Sequence, residues 1–261
     1  MSHQYCKVEI KDHVMVVSID RPEQRNALNP PANHELGAVF DAFESNSDLW
    51  VGILTGGGEK SFCAGADLKH AASEGMGSFV PPSGFGGLTS RFARKKPVIA
   101  AVNGFATGGG FELALACDII IASDTAKFGL TEPRVGLAAL GGGIQRLIRE
   151  VGPKRAHGIL LTGRLISAED GLHLGFVNEV VPHAGLMAAA SRWADEILKC
   201  SPASVRATKA VADALDGQTV QQSMESMFAL PGVKALFESP DSKEGPRAFA
   251  ERRPPRWSNP V

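Results

Sequence analysis

The chain lacks the short motifs that mark several large enzyme classes. Its glycines never fall into a G-x-G-x-x-G register, and there is no Walker A lysine, no H-E-x-x-H and no G-x-S-x-G. These motifs supply phosphate-binding donors, paired zinc ligands or an exposed serine nucleophile. Dinucleotide-dependent oxidoreductases, nucleotide hydrolases, zinc proteases and serine hydrolases therefore lack their minimal parts here.

Cysteine and histidine are too scattered to predict a metal site or a disulfide framework. The four cysteines, Cys6, Cys63, Cys117 and Cys200, form no C-x-x-C pair, and the seven histidines stand singly. We interpret each histidine as a surface or turn residue and expect no metal. Sparse cysteines are also typical of the reducing cytoplasm.

The chain has neither an excess of charge of one sign nor a long uninterrupted apolar run. The formal net charge is −1, which provides no attraction to nucleic acid or to an anionic membrane. The N-terminus meets Lys7 and Glu9 before any apolar run, and glycines and polar residues interrupt the apolar stretch 97–111. We therefore expect a soluble cytoplasmic protein with no nucleic-acid or membrane partner.

What the chain does have is a glycine-rich turn between an apolar strand and a helix. Gly108, Gly109 and Gly110 follow the strand, and Glu112 stands in the first helical turn. Such a turn leaves backbone N–H groups unpaired, and these donors stabilise an oxygen that develops negative charge. The glycines could also serve close packing alone, and Glu112 could merely complement the helix dipole.

A second turn of the same kind and a second carboxylate favour a reaction site. Residues 64–67 follow a strand and precede a helix for which Asp67 is the predicted cap. One N–H from each turn could bind a single carbonyl oxygen, as the stabilisation of an enolate requires. Glu132 precedes Pro133 and is predicted to be extended at the entry to a helical turn. Two carboxylates in different environments can act as base and acid across a double bond.

Alternating strands and helices up to Val181 predict an α/β (α+β) fold, followed by a mostly helical part. We divide the chain accordingly into residues 1–181 and 182–261. A hairpin is predicted within residues 5–19, a mobile loop at 73–87 and a helix at 219–237. A short helix with Arg91, Arg94, Lys95 and Lys96 is interpreted as a solvated face, with a phosphate site as the alternative.

Several segments, in order along almost the whole chain, share a pattern with a known family. They are Arg21-Pro22 with Asn26-Ala27-Leu28, residues 62–68 (FCAGADL), Asn103-Gly104 with Gly108-Gly109-Gly110 and Glu112, Phe128-Gly129 with Glu132 and Gly136, and residues 161–164 and 169–177. Together they resemble the crotonase (enoyl-CoA hydratase/isomerase) superfamily.

The resemblance implies a crotonase/ClpP-like spiral of β-β-α units with a helical C-terminal trimerisation region, in a homotrimer or a dimer of trimers. It implies acyl-CoA thioester substrates and no separate cofactor, because coenzyme A is part of the substrate. By the same resemblance, Ala66 and Gly109 donate N–H bonds to the thioester carbonyl. Glu112 orients and deprotonates water, and Glu132 delivers a proton to the α-carbon.

The resemblance also implies a coenzyme A channel, with two departures from the family pattern. The channel residues would be Ala64, Ala66, Asp67, Leu68 and Lys69, flanked by Arg25, Ala27 and Leu28. Leu140 stands where the family has glycine, so we expect it to reshape the acyl or water pocket. The tail holds arginines and Trp257, which we expect to meet the adenine and phosphates of coenzyme A across a subunit boundary; a solvated basic tail is the alternative.

Hydration of a trans-2-enoyl-CoA is the leading interpretation, because both glutamates are present and many relatives lack one of them. The helix start favours a charged Glu112, whereas an apolar turn favours a protonated Glu132 unless Arg134 offsets this. A dehydratase or isomerase on a specialised acyl group, such as a carnitinyl-type thioester, is the neighbouring alternative, with residues 73–87 setting acyl specificity. A non-catalytic coenzyme A-binding or RNA-binding relative is the third, against which the two glutamates and the net charge weigh.

Overall fold

Two β-sheets organise the computed structural model, which describes residues 3–74, 80–214 and 217–259. The larger sheet has the order β1 (Cys6–Lys11), β2 (Val14–Ile19), β3 (Val51–Gly56), β5 (Val98–Val102), β7 (Ile119–Ser123) and β10 (Glu179–Val181). The smaller sheet has the order β4 (Ser61–Cys63), β6 (Phe105–Thr107), β8 (Lys127–Gly129) and β9 (Ile166–Ser167). Paired strands are parallel except in the predicted β1–β2 hairpin, which is confirmed, and between β8 and β9.

Successive strands alternate between the two sheets, as expected of β-β-α units. Strands β3, β5 and β7 enter the larger sheet, and β4, β6 and β8 enter the smaller one. A helical segment follows each pair: α2 (Leu68–Glu74), α3 (Gly109–Leu115) and a 3₁₀ turn (Glu132–Val135). Since β4, β6 and β8 are neighbours, the turns that leave them lie side by side at one edge of the smaller sheet.

Both faces of the central strands β3, β5 and β7 of the larger sheet are buried, which is typical of parallel strands. In β5, Val98, Ala100 and Val102 belong to the apolar cluster shared with α1 (Pro30–Ser45) and α3, while Ile99 and Ala101 belong to the cluster shared with α7 (Leu186–Leu198). Successive side chains of a strand point to opposite faces, so one short apolar run contributes to both clusters. The candidate site lies on the α1 and α3 side.

The remaining helices surround this framework. They are α4 (Gly143–Val151), α5 (Pro153–Leu160), α6 (Ala168–Leu174), α8 (Pro202–Ala214), α9 (Val220–Ser226), α10 (Pro231–Glu238) and α11 (Asp241–Ala250). Among the described residues, we find no helix with the length and apolar character needed to cross a membrane. The division at residues 181/182 stays a prediction, and α7, just beyond it, packs on β3, β5 and β7.

The predicted helix 219–237 is wrong as a single element. It consists of α9, a 3₁₀ turn (Met227–Ala229) and α10, and Leu230 is extended with φ −63° and ψ 133°. A residue before proline is driven out of the α region, so Pro231 starts a new helix instead of continuing the old one.

The predicted short helix with the basic cluster is also wrong, and most of its cations are neither solvated nor free for phosphate. Residues 91–96 form no helix; they contain a turn at residues 92–93 and a bend at residue 96. Lys96 is buried and donates from Nζ to Phe43 O at 2.5 Å and Asn46 O at 2.6 Å, which satisfies carbonyls at the end of α1. Arg94 pairs with Asp118 at 2.9 Å.

Residues 84–87 of the loop expected to be mobile at 73–87 are packed, and residues 75–79 of that prediction lie outside the described residues. Phe85 is buried and its N–H donates to Thr89 Oγ1 at 2.8 Å. Gly86 N–H donates to Asn33 Oδ1 at 2.7 Å, which ties the segment to α1. Residues 84–89 therefore form a fixed wall beside α1 and α3.

Candidate active site

The two glycine turns predicted from the sequence meet backbone to backbone. Gly65 has φ +90°, a conformation that favours glycine, and a Cβ there would lie 3.1 Å from Gly109 N and 2.8 Å from Thr107 O. Thr107 Oγ1 also donates to Ala64 O at 3.3 Å. Because only glycine allows this approach, the start of α3 lies directly against the turn after β4.

The N–H groups of Ala66 and Gly109 are unpaired where these turns meet. Ala66 forms a parallel bridge with Leu28, in which Leu28 N–H donates to Gly65 O and Asp67 N–H donates to Leu28 O, both at 2.9 Å. Neighbouring N–H groups of an extended chain point in opposite directions, so Ala66 N–H faces away from Leu28. Within the described residues, neither Ala66 N–H nor Gly109 N–H has a backbone or side-chain acceptor.

Glu112 is buried in α3 and held by a third glycine turn. Gly143 N–H donates to its Oε1 at 2.9 Å, and a Cβ at Gly141 would lie 2.6 Å from its Oε2. Burial raises the pKa of Glu112, and the backbone groups of Gly143 and Gly141 and the charge of Arg146 reduce that increase without cancelling it. The expectation that the helix start would dominate is therefore wrong in direction.

Glu132 is the first residue of its 3₁₀ turn and is not in the extended conformation predicted. A Cβ at Gly108 would lie 3.6 Å from its Oε1, and its Oε2 is buried with no hydrogen-bond partner in the part of the chain described. Burial, and then the negative charge of Glu112, raise the pKa of Glu132 to about 7. Arg134 donates to Thr162 O at 3.1 Å and is not among the groups that shift this pKa.

Comparison with known proteins identifies this arrangement. The family model described as enoyl-CoA hydratase/isomerase matches residues 9–260. The chain belongs to this family. It is 42% identical over 257 residues to a carnitinyl-CoA dehydratase of Proteus mirabilis (strain HI4320), covering 97% of this chain and 98% of that protein.

Solved structures of the family agree with this assignment. An enoyl-CoA hydratase of Mycobacterium marinum superposes with a TM-score of 0.91 at 38% identity, covering 98% of this chain and 99% of that chain. A carnitinyl-CoA hydratase of Mycobacterium avium superposes with a TM-score of 0.77 at 40% identity, with the same coverage of 98% and 99%. The predicted α/β fold of crotonase type is thereby confirmed.

The loop predicted to flank the coenzyme A channel lies against the turn after β4. Arg21 donates to Ala27 O and pairs with Asp67 at 3.1 Å, so it fastens residues 25–28 to residues 64–67. Asn26 is buried, with its amide donating to Gly57 O at 2.9 Å and Ser61 O at 2.7 Å. The family-implied residues Arg25, Ala27, Leu28, Ala64, Ala66 and Asp67 are thus brought together with Gly109, with Leu68 and Lys69 exposed at the start of α2.

Two other family-implied residues are not brought to this place. Leu140 is 79% exposed, and the space beside Glu112 is bounded instead by Gly141 and Gly143. Trp257 donates to Lys199 O at 2.8 Å and packs in the α7 cluster, on the other side of the larger sheet. Their contacts with an acyl group or coenzyme A stay predictions.

Sequence reasoning missed residues that support the site but are distant from it in the sequence. Gly141 and Gly143, for which no role is predicted from the sequence, make room for Glu112 and hold it. Phe85 packs so closely on the start of α3 that a Cβ at Gly109 would lie 2.9 Å from its ring. Arg21 was visible in the family pattern, but only the fold shows that it fastens two loops.

The described residues also bring together donor atoms of His3, Cys6 and Glu35 within 4.8 Å of one another. The Glu35 carboxylate already accepts N–H bonds from Gln4, Tyr5 and Cys6 at 2.8, 2.7 and 3.0 Å. We therefore interpret this group as the anchor that fixes the start of β1 to α1.

Proposed function

We propose that the protein catalyses the reversible addition of water to a 2-enoyl-CoA thioester. The observation that carries the proposal is a pair of carboxyl groups, buried Glu112 and half-buried Glu132, beside two turns in contact whose Ala66 and Gly109 N–H groups have no acceptor among the described residues. Donors that await an oxygen, next to a candidate base and acid, are the parts that this reaction needs.

In the proposed mechanism the thioester carbonyl oxygen accepts bonds from Ala66 N–H and Gly109 N–H, which stabilise the enolate that forms during addition. Glu112, fixed by Gly143, takes a proton from a water molecule while the oxygen of that water bonds to C3. Glu132 gives its proton to C2. The new O–C and C–H bonds replace the C2=C3 double bond, and proton transfer between the two carboxyl groups and solvent restores the starting state. A pKa of about 7 keeps Glu132 partly protonated at neutral pH, as an acid requires.

Coenzyme A enters this proposal only as part of the substrate, with no separate cofactor or metal. Residues 25–28 and 64–69 would line its channel. Homo-oligomerisation in a trimer or a dimer of trimers in the cytoplasm belongs to the same proposal. Large apolar side chains on the C-terminal helices support it, since Phe237 and Phe249 are 64% and 87% exposed in the single chain.

Dehydration of a carnitinyl-CoA thioester is the second candidate, favoured by the name of the Proteus mirabilis relative. The same two carboxyl groups would serve, because removing water from a 3-hydroxyacyl thioester is the reverse of adding it. The difference lies in the acyl group, whose quaternary ammonium needs aromatic or acidic neighbours.

The test follows the absorbance of the conjugated enoyl thioester with crotonyl-CoA, a longer 2-enoyl-CoA and the dehydrated carnitinyl thioester. We expect Glu112→Gln and Glu132→Gln each to lower kcat by a factor on the order of a hundred or more. Glu9→Gln, an exposed change on β1, is the matched control. Two active-site variants within a fewfold of wild type would contradict the mechanism, and the ratio of kcat/KM values among the three thioesters decides between the two candidates.

A further inference from the structure

The side chain of Arg146, in α4, runs beneath the glycine turn that holds Glu112. Its Nη1 makes a long hydrogen bond to Gly141 O at 3.4 Å, and a Cβ at Gly142 would overlap that nitrogen. Its Nη2 donates to Thr89 O at 2.8 Å. The planar guanidinium therefore joins two segments that have no sequence proximity.

Those two segments support opposite halves of the site. Gly141 belongs to the turn around the Glu112 carboxylate. Thr89 closes the wall that carries Phe85, because its Oγ1 accepts from Phe85 N–H at 2.8 Å and the Phe85 ring packs on Gly109. A shift of Arg146 would consequently move the turn that fixes Glu112 and the wall behind Gly109 together.

The charge of Arg146 also acts on Glu112. Burial raises the pKa of that carboxyl, and the backbone groups of Gly143 and Gly141 and the positive charge of Arg146 oppose this increase; the charge of Glu112 in turn raises the pKa of Glu132. Arg94 and Arg149 act on Arg146 itself, and the partly buried position keeps solvent from screening the Arg146–Glu112 attraction fully.

We propose that Arg146 is a positioning residue for the hydration reaction, holding the Gly141–Gly143 turn against Glu112 and supplying the positive charge that this carboxylate needs. The inference rests on the proposed function, and it assigns Arg146 no contact with substrate. Its role is exerted through Gly141 and Glu112.

The experiment compares Arg146→Gln, which loses the positive charge, with Arg146→Lys, which keeps the charge but loses the planar guanidinium with its two donor nitrogens. Arg155→Gln, an exposed change on α5, controls for loss of one positive charge. In Arg146→Gln we expect kcat to fall about tenfold or more with KM changed less than about threefold, since misplacement of a catalytic group affects the reacting state most. The acidic limb of the pH profile should move to higher pH in Arg146→Gln and stay in place in Arg146→Lys.

A readout that does not depend on turnover separates this inference from the proposed function. Carbon-13 NMR of glutamate-labelled protein, with Glu112→Gln identifying the resonance, follows the Glu112 carboxyl directly. A Glu112 pKa that rises in Arg146→Gln and not in Arg146→Lys supports the inference even if no 2-enoyl thioester is hydrated. An unchanged Glu112 pKa, or a loss of melting temperature alone, would overturn it.

Discussion

The two ends of α3 differ in whether their polar groups have hydrogen-bond partners. At its N-terminus the Gly109 N–H is unpaired, and Glu132 Oε2 nearby is buried with no partner among the described residues. At its C-terminus Arg94 donates to Ala116 O at 3.0 Å, and Asp118 accepts from Arg94 and from Lys209 at 2.9 and 2.6 Å. Gly109 at one end and Ala116 at the other are both half-buried, so a difference in exposure does not account for the contrast.

This difference in pairing assigns reactivity to the N-terminal end of α3 and stability to its C-terminal end. Unpaired buried polar groups cost free energy, and they persist where a ligand completes them. Paired groups stabilise the fold and are not available to bind a reacting group, although one buried nitrogen of Arg94, Nη1, has no partner among the described residues. Substitutions at the N-terminal end should therefore affect turnover, and substitutions at the C-terminal end should affect unfolding.

Among substitutions that leave both glutamates in place, the largest effect on turnover is expected from Gly141→Ala. The new methyl group would lie 2.6 Å from Glu112 Oε2, so the carboxylate must move by a fraction of an ångström or more. Displacement of this size costs about a hundredfold in rate when it misplaces a catalytic group. Steady-state kinetics measure it.

Gly158→Ala in α5 is the matched control, because its Cβ would have no neighbour within 4 Å. It should leave turnover unchanged and stabilise the helix slightly, since alanine is the better helix former. Equal kinetics for the two variants would mean that the space beside Glu112 is not critical.

The next effect is on the pH dependence of hydration. Glu132 must be protonated and its pKa is raised to about 7, so kcat/KM should fall as the pH rises above about 7. Glu112 must be ionised and its raised pKa sets the acidic limb, which gives a bell-shaped profile. In Glu132→Gln the residual activity should lose the basic limb. A basic limb that persists in that variant would assign the titration to another group.

The same contrast shows what the sequence could and could not predict. The glycine turns and both glutamates could be predicted from local patterns, because a turn that leaves N–H groups free depends on residues that are consecutive in the sequence. Gly143 and Glu112 meet only through the fold, and no local pattern records that contact. Lys96 was misjudged for the same reason, since its burial depends on carbonyls of α1 that are distant in the chain.

The smallest effect on turnover and the clearest effect on stability are expected from Asp118→Ala. The substitution removes the acceptor of Val98 N–H at 2.8 Å and leaves Arg94 and Lys209 without their carboxylate. Leaving Val98 N–H and the two cations without this acceptor costs about 1–3 kcal/mol in the free energy of unfolding, which urea titration measures. Below the melting temperature kcat/KM should stay within about twofold of wild type. The lost contacts lie at the C-terminal end of α3, and the N–H donors at its N-terminal end keep their positions. A large loss of kcat in a folded Asp118→Ala protein would show instead that the helix transmits strain from its paired end to its reactive end, and the separation of the two roles would fail.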